Sequence, residues 1–246
     1  MYTLDETINK ACELGVKKVK RSLKSQIVLS FIAGAMIAFG YMAYVRSVSL
    51  LGEGMGTVVG ASVFPVGLII ILFAGGELIT GNMTIVSIAY FNKRVTLGQC
   101  LKNWMIITFG NIIGALFVAF FFTYFLGNVS PEVVANIAHH KINASPMQIF
   151  VSGIGCNWFV GLSVWLFIMV KDTGAKMFAV WFPIMVFVLL GFQHSVANLY
   201  ILGAAVLNTS VTLFDFVYNF VIVYLGNIVG GAFFVGFLYT YIRDKS

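Results

Sequence analysis

One ten-residue stretch, Gly191–Tyr200, holds the side chains with the most chemical potential and reads GFQHSVANLY. Its imidazole, His194, is the only one within an apolar run, because His139 and His140 lie in a polar connector. An imidazole has an ordinary pKa of about 6.5, so near neutral pH it can donate a hydrogen bond or a proton to an anion. Many buried histidines only complete a core, but the polar neighbours of His194 favour a functional role.

A second apolar run carries a similar polar interruption at Gly75–Asn82, which reads GGELITGN. Thr80 lies inside this interruption as His194 lies inside the other, so we expect the two side chains to meet at the centre of a pore. A broken helix leaves free N–H groups with partial positive charge at the start of its second half, where a small anion can bind.

Four further polar residues of the interruptions are expected to satisfy their backbone groups rather than to contact a substrate: Glu77, Asn82, Gln193 and Asn198. Glu77 is the only acid well inside an apolar run, and a carboxylate on the path would repel anions. We therefore expect Glu77 to accept hydrogen bonds from N–H groups of its own loop.

The composition is that of an integral membrane protein with a single domain over residues 1–246. Hydrophobic residues make up 60% of the chain and charged residues only 10%, against roughly 25% charged in an ordinary soluble domain. The net charge of +6 is spread between apolar runs, which suits membrane orientation and not nucleic-acid binding. No Ser–His–Asp set, HExxH motif or pair of carboxylates is found, so we do not expect an enzyme.

Cysteine and histidine spacing predicts no disulfide, metal or cofactor. Cys12, Cys100 and Cys156 are scattered, without a CxxC motif or a histidine at ligand spacing. His139 and His140 could form a metal patch beside Lys141, but adjacent residues of a regular helix cannot both face one ion.

Six apolar runs follow an amphipathic segment, residues 1–24. We predict a helix on the cytoplasmic membrane face for this segment, started by Thr3 and Glu6 at capping-box spacing, with a regulatory gating helix as the alternative. Crossing a bilayer core takes about 20 helical residues, and the second and fifth runs are too long for one crossing and too short for two. The runs are 26–45, 57–90, 104–126, 148–170, 176–207 and 213–242.

Lysine and arginine predict six crossings with both termini in the cytoplasm. Thirteen of the 15 basic residues, including Arg243 and Lys245 of the C-terminal tail, fall on one side in this arrangement. Only Arg46 and Lys141 fall on the other side, and Lys141 would raise the local anion concentration at the outer mouth of a pore.

The two halves of the chain are related by a repeat. Five pairs of residues keep a constant offset of 116 positions: Gly75/Gly191, Glu77/Gln193, Asn82/Asn198, Asn103/Asn219 and Asn111/Asn227. Three crossings per half make the halves, 25–126 and 148–242, inverted in the membrane, with 127–147 as the extracytoplasmic connector. Inverted repeats with broken helices at matching positions predict a binding or permeation site near the midplane.

Four motifs, GELITGN, GFQHSVAN, CNWFV at Cys156–Val160, and KNW with GN within Lys102–Asn111, resemble those of the formate/nitrite transporter family, in order along the whole chain. The resemblance implies an all-α, aquaporin-like fold of six transmembrane helices with helices 2 and 5 broken. It also implies a homopentamer in the lipid bilayer, with one pore per protomer for small monovalent anions.

The resemblance further implies roles for individual residues. His194 matches the family's central histidine, and Thr80 matches the threonine of the loop in the second helix. Residues that match gates and apolar constrictions are Phe64, Leu68, Leu78, Ile79, Val160 and Phe187. Lys141 and Asn157 match residues that draw anions into the vestibule.

Ile79 departs from the family's formate-type members, which commonly have phenylalanine at this position. The chain is most similar to the hydrosulfide channel branch, so the resemblance implies a passive channel that favours hydrosulfide, with formate and nitrite as possible permeants. We expect it in the cytoplasmic (inner) membrane of a prokaryote. The alternatives are a formate or nitrite transporter coupled to protons and an aquaporin-like facilitator of neutral solutes, although no NPA pair is present.

Overall fold

Helices account for all regular secondary structure in the computed structural model, which describes residues 1–243. The expected all-helical class is therefore confirmed; Lys245, one of the basic residues predicted to be cytoplasmic, lies outside the described residues. The helices are α1 Leu4–Lys20, α2 Leu23–Val63, α3 Val66–Ala74, α4 Ile79–Phe91, α5 Leu97–Val118, α6 Pro131–Ile142, α7 Pro146–Met169, α8 Thr173–Leu189, α9 Ser195–Leu207, α10 Leu213–Ile228 and α11 Leu238–Tyr241. Two π-helical segments, Ala119–Phe125 and Val229–Phe237, continue α5 and α10.

Within residues 1–243, four helical stretches are long and apolar enough to cross a membrane: Leu23–Ala74, Leu97–Phe125, Pro146–Met169 and Leu213–Tyr241. The apolar helices α4, α8 and α9 are shorter. The polar connector that holds His139 and His140 is partly helical, and both residues lie on α6.

The first of these stretches folds back on itself at Gly52, which has a φ of +76°. A Cβ atom added to Gly56 would lie 2.5 Å from the Cα of Val48, and one added to Gly60 would lie 3.1 Å from the Cα of Tyr44. Each pair joins one residue before Gly52 to one at the same distance after it, so the two arms run antiparallel as a hairpin. The glycines have no side chain, and the arms can therefore approach closely. The 41 residues of α2 therefore do not form one straight rod.

Helix α1 starts as predicted, since the Thr3 and Glu6 side chains each bond the other's backbone N–H in a capping box. Its apolar face packs on protein: Ile8, Ala11 and Cys12 are buried, and they join a cluster with residues of α4 and α7. Burial of this apolar face fastens α1 to the helical body.

Two short non-helical segments separate consecutive apolar helices. The first interruption, residues 75–78, begins at Gly75 with a φ of +91° and ends where α4 starts. The second interruption, residues 190–194, turns at Gly191 with a φ of +72° and ends where α9 starts. Both glycines have the left-handed backbone conformation that other L-residues rarely adopt. Almost every polar candidate from the sequence lies in or against these two segments.

Candidate functional site

The first interruption is held by Asn111 of α5. Its Oδ1 accepts from the N–H of Ile79 at 2.9 Å, which satisfies the first free donor of α4. Its Nδ2 donates to the carbonyls of Glu77 at 3.0 Å and Ser30 at 2.7 Å. One buried amide therefore satisfies three backbone groups that would otherwise be stranded in an apolar interior.

The second interruption is held in the same way by Asn227 of α10. Its Oδ1 accepts from the N–H of Ser195 at 2.9 Å, and its Nδ2 donates to the carbonyls of Gln193 at 3.2 Å and Gly153 at 2.8 Å. The donors and acceptors stand 116 positions after those of the first interruption, except that Gly153 takes the place of Ser30. Residues that stand 116 positions apart in the sequence therefore also make matching hydrogen bonds.

A second polar layer surrounds Glu77. Asn82 donates from Nδ2 to Glu77 Oε2 at 2.9 Å and to Asn103 Oδ1 at 3.0 Å. Two basic residues of the N-terminal segment also bind the carboxylate, with Lys18 Nζ 2.8 Å from Oε2 and Arg21 Nε 3.0 Å from Oε1. Our expectation that loop N–H groups would bind Glu77 was wrong, because Lys18 of α1 and Arg21, which directly follows α1, lie within reach of its side chain.

The matching layer of the second interruption is uncharged. Asn198 donates from Nδ2 to Gln193 Oε1 at 2.8 Å and to Asn219 Oδ1 at 2.8 Å. Gln193 and Asn219 in turn donate to the main-chain carbonyl of Lys141, at 3.3 Å and 3.1 Å. This layer therefore fixes the end of α6, and with it the base of the Lys141 side chain.

The structure brings Thr80 and His194 together, with 3.1 Å between Oγ1 and Nε2. The other ring nitrogen of His194, Nδ1, accepts from the N–H groups of Val196 and Ala197 at 3.2 Å each. A nitrogen that accepts carries no proton, so the neutral ring has its proton on Nε2 and donates to Thr80. The hydroxyl hydrogen of Thr80 is then free to donate to a further acceptor.

The Thr80–His194 contact also means that α4 and α9 begin beside each other. His194 is the N-cap residue of α9, and its ring accepts hydrogen bonds from the first turn of that helix. Leu78 is the N-cap residue of α4, and its side chain makes no such bond. Both helices direct the positive ends of their dipoles at this contact. An anion that reaches it meets partial positive charge from two helices.

A larger cavity of about 540 Å³ lies on one side of the contact. Five residues singled out from the sequence line it: Phe64, Lys141, Phe187, Gln193 and His194. The Phe64 and Phe187 rings meet edge to face with centroids 5.8 Å apart, and the Phe187 ring stacks on His194 at 6.1 Å. Burial lowers the pKa of Lys141 to about 8, so its ammonium group titrates just above neutral pH.

A smaller cavity of about 160 Å³ lies on the other side. Its wall includes Leu68, Glu77, Leu78 and Asn82, together with the two cations that bind Glu77, Lys18 and Arg21. Sequence reasoning missed both cations as site residues. The signal was present, because α1 has a basic face and Glu77 is a solitary acid in an apolar run.

The two cavities come close to each other along the chain near α3. Phe64 lines the larger cavity, and Leu68, four residues later, lines the smaller one. Thr80 lines neither cavity, is fully buried and stands between them through its bond to His194.

Four other candidates also line neither cavity and are almost fully buried: Ile79, Asn157, Val160 and Asn198. Asn157 donates from Nδ2 to the carbonyls of Asn227 at 2.7 Å and Thr80 at 3.2 Å. Its amide thus ties α7 to α10 and α4. The expectation that Asn157 attracts anions from a vestibule does not fit this position, and we assign it to holding the helices around Thr80.

Comparison with known proteins agrees with the motifs. The family model described as Formate/nitrite transporter matches residues 5–241. The protein of Bacillus thuringiensis named formate channel BtFdhC is 42% identical over 95% of this chain and 92% of its own. The structure of an FNT family ion channel superposes with a TM-score of 0.92 at 28% identity, covering 98% of this chain and 100% of that one.

A pentameric formate channel with formate bound has the same fold, with a TM-score of 0.77 at 24% identity, covering 89% of this chain and 97% of that one. The family consists of transport proteins that pass through the membrane several times, so the expectation that this chain is not an enzyme is confirmed. With a family model matched along nearly its whole length, the chain belongs to the formate/nitrite transporter family.

Proposed function

We propose that each protomer is a passive channel for small monovalent anions, with formate and nitrite as the leading permeants. The observation that carries the proposal is the meeting of two helix N-termini at Thr80 and His194, between two cavities. Formate is favoured because the relative from Bacillus thuringiensis is named a formate channel. Nitrite is included because a protein of Salmonella typhimurium, 29% identical over all of this chain, is named a nitrite transporter.

The proposed path begins in the larger cavity, which we place on the extracytoplasmic side. Lys141 raises the local concentration of anions there, and Phe64 and Phe187 then remove water from the ion. A bare anion in the apolar slit that these two rings form is costly. The Thr80 hydroxyl and the helix dipoles of α4 and α9 offset part of that cost at the centre. Because no strong counter-charge sits at this point, the anion can leave again.

The path ends in the smaller cavity, which we place on the cytoplasmic side. Lys18 and Arg21 offset the charge of Glu77 and leave one positive charge in excess among the three groups. An anion that passes Leu68 and Leu78 therefore meets a wall with a net attraction. This placement also puts α1 and both chain termini in the cytoplasm, as the distribution of basic residues favours.

For the fold, we propose six crossings in two inverted halves, 25–126 and 148–242, joined by the connector 127–147. The support is the pair of hydrogen-bond networks around Asn111 and Asn227 and the two interruptions in corresponding helices. We further propose a homopentamer, supported by the fold that this chain shares with a pentameric formate channel. The many exposed apolar side chains of α5, α7 and α10 would then face lipid or another protomer.

Hydrosulfide is a second candidate permeant, because an isoleucine at position 79 replaces the phenylalanine of formate-type members. The Ile79 side chain is buried and lines neither of the two cavities, so any influence on the slit acts through packing. The hydrosulfide preference stays a prediction.

The test is anion flux into liposomes that contain the purified protein, under matched gradients of formate, nitrite, hydrosulfide and chloride at two pH values. We expect formate and nitrite to cross fastest, with liposomes without protein as the control. Faster hydrosulfide flux would support the second candidate. No anion flux from folded protein would overturn the proposal, and swelling with glycerol or water would then test an aquaporin-like facilitator.

A further inference from the structure

Tyr41 of α2 stands in the wall of the larger cavity, directly before the apolar slit. Its side chain is only 7% exposed, and its ring meets that of Phe64 edge to face with centroids 5.7 Å apart. The same cavity wall includes Phe187 and His194. Tyr41 therefore lies where an anion on the proposed path would exchange water for protein contacts.

The Tyr41 hydroxyl makes no hydrogen bond to any of residues 1–243, and its oxygen is not among the sealed polar atoms that lack a partner, so it is open to the cavity that the residue lines. A phenol oxygen that is shut off from water normally bonds a protein group instead. The neighbouring Tyr200, whose ring packs against that of Tyr41, has such a partner, because its hydroxyl lies 2.7 Å from Thr123 Oγ1. Tyr200 does not line the cavity. The Tyr41 hydroxyl is thus an unpaired donor on a residue of the cavity wall, available to whatever occupies the cavity.

Lys141 completes the local arrangement. Its Nζ lies 5.5 Å from the centroid of the Tyr41 ring, within the range of a cation–π contact. Its main-chain carbonyl is fixed by Gln193 and Asn219. The backbone of Lys141 is therefore fixed in a position from which its ammonium group reaches the Tyr41 ring.

We propose that Tyr41 and Lys141 form an anion-binding subsite before the slit, and that Tyr41 makes it selective for anions with oxygen acceptors. This inference rests on the proposed channel function. The Lys141 charge attracts every anion alike, whereas an O–H donor at a fixed position favours the strong, directional acceptors of a carboxylate or nitrite over chloride. Selection for oxyanions would thus begin before the ion reaches Thr80 and His194.

The test compares Tyr41→Phe with Tyr200→Phe in liposomes. Each variant removes one hydroxyl and keeps its ring, and of these two residues Tyr41 lines the cavity while Tyr200 does not. We expect Tyr41→Phe to raise the half-saturating formate concentration about five- to tenfold. The chloride concentration that halves formate flux should change much less, and Tyr200→Phe should keep both wild-type values.

Lys141→Met supplies a second, independent measurement, because it should weaken formate and chloride by similar factors. An unchanged half-saturation in Tyr41→Phe, or an equal change for both anions, would overturn the subsite while wild-type flux upheld the channel. Loss of all formate flux from the wild type would instead overturn the channel, and the subsite with it. Assembly of each variant is checked by size-exclusion chromatography; Tyr41→Phe should assemble, since it removes no internal hydrogen bond.

Discussion

The two interruptions share a hydrogen-bond frame, formed by Asn111 in the first and Asn227 in the second, and they differ in the residue at the N-cap of the helix that follows. In each, an asparagine 32 residues after the first residue of the new helix bonds that residue's N–H and two carbonyls. At the N-cap of that helix, however, the first interruption has Leu78 and the second has His194. The duplicated frame makes helix starts possible inside an apolar body, and a single unduplicated residue places an imidazole between them.

The layers behind the two frames differ in charge. Glu77 is an anion bound by two cations of the N-terminal segment, whereas Gln193 is neutral and binds the main chain of α6. Each interruption thus fastens the segment that brings a lysine to its own cavity, Lys18 on one side and Lys141 on the other. A charged fastening can be weakened by neutralising one side chain, whereas the amide network carries no charge that a substitution could neutralise.

The largest effect is expected from removing the shared frame. Asn111→Leu and Asn227→Leu each strand three buried backbone groups, at about 1–3 kcal/mol for each group. We expect both variants to lose several kcal/mol of stability, seen as a large and similar drop in the thermal unfolding temperature in detergent. Asn208→Ala is the control, because the Asn208 side chain makes a single hydrogen bond within the described part of the chain, to the carbonyl of Ala204. A large drop in only one of the two would show that the frames are not equivalent.

The next effect concerns the charged fastening. Glu77→Gln leaves Lys18 and Arg21 without their carboxylate, and breaking a buried ion pair from one side costs about 3 kcal/mol. We expect the first 22 residues to be cleaved much faster by a protease, as followed by mass spectrometry. Lys18→Met on the Glu77→Gln background should add little further cleavage. Full additivity of the two substitutions would show that the pair does not hold α1.

The sequence predicts those features of the site that the polar interruptions and their repeat indicate, and not the contacts that depend on how other segments fold against them. The interruptions, their offset and the nearness of Thr80 to His194 were predicted, because polar residues and glycines are conspicuous in apolar runs. The partners of Glu77 were not, since they depend on how α1 folds back over α4. Tyr41 was missed for a similar reason: a tyrosine in an apolar helix is ordinary, and only the folded cavity shows that its hydroxyl lacks a partner.

A smaller effect on flux is expected at the residue that distinguishes the second interruption. An asparagine side chain in place of His194 can still cap α9 through its oxygen, but it cannot present a ring N–H to Thr80. We expect His194→Asn to lower formate flux about tenfold, the equivalent of one hydrogen bond of about 1.4 kcal/mol. Thr80→Val should lower it similarly, and the double variant should lose little more. Unchanged flux and unchanged pH dependence in His194→Asn would remove this residue from the mechanism.

The smallest effect concerns Lys141, which the neutral network of the second interruption positions. Its pKa is lowered to about 8, so raising the pH from 7 to 9 takes its charged fraction from about nine-tenths to about one-tenth. The cavity then loses a positive charge, and we expect flux of formate, which stays ionised throughout, to fall a few-fold at the higher pH. The other ionisable groups of this cavity wall are Tyr41, Tyr44, Glu53, Glu132, His140 and His194.

Lys141→Arg separates Lys141 from these other groups. An arginine keeps its charge at pH 9, so its flux should change little between the two pH values, although its planar head will bind differently. The same decline in Lys141→Arg as in the wild type would assign the pH dependence to another group of the wall. Because Lys141 lines the larger cavity, titrating each side of the membrane separately should place this pH dependence on the side to which that cavity opens.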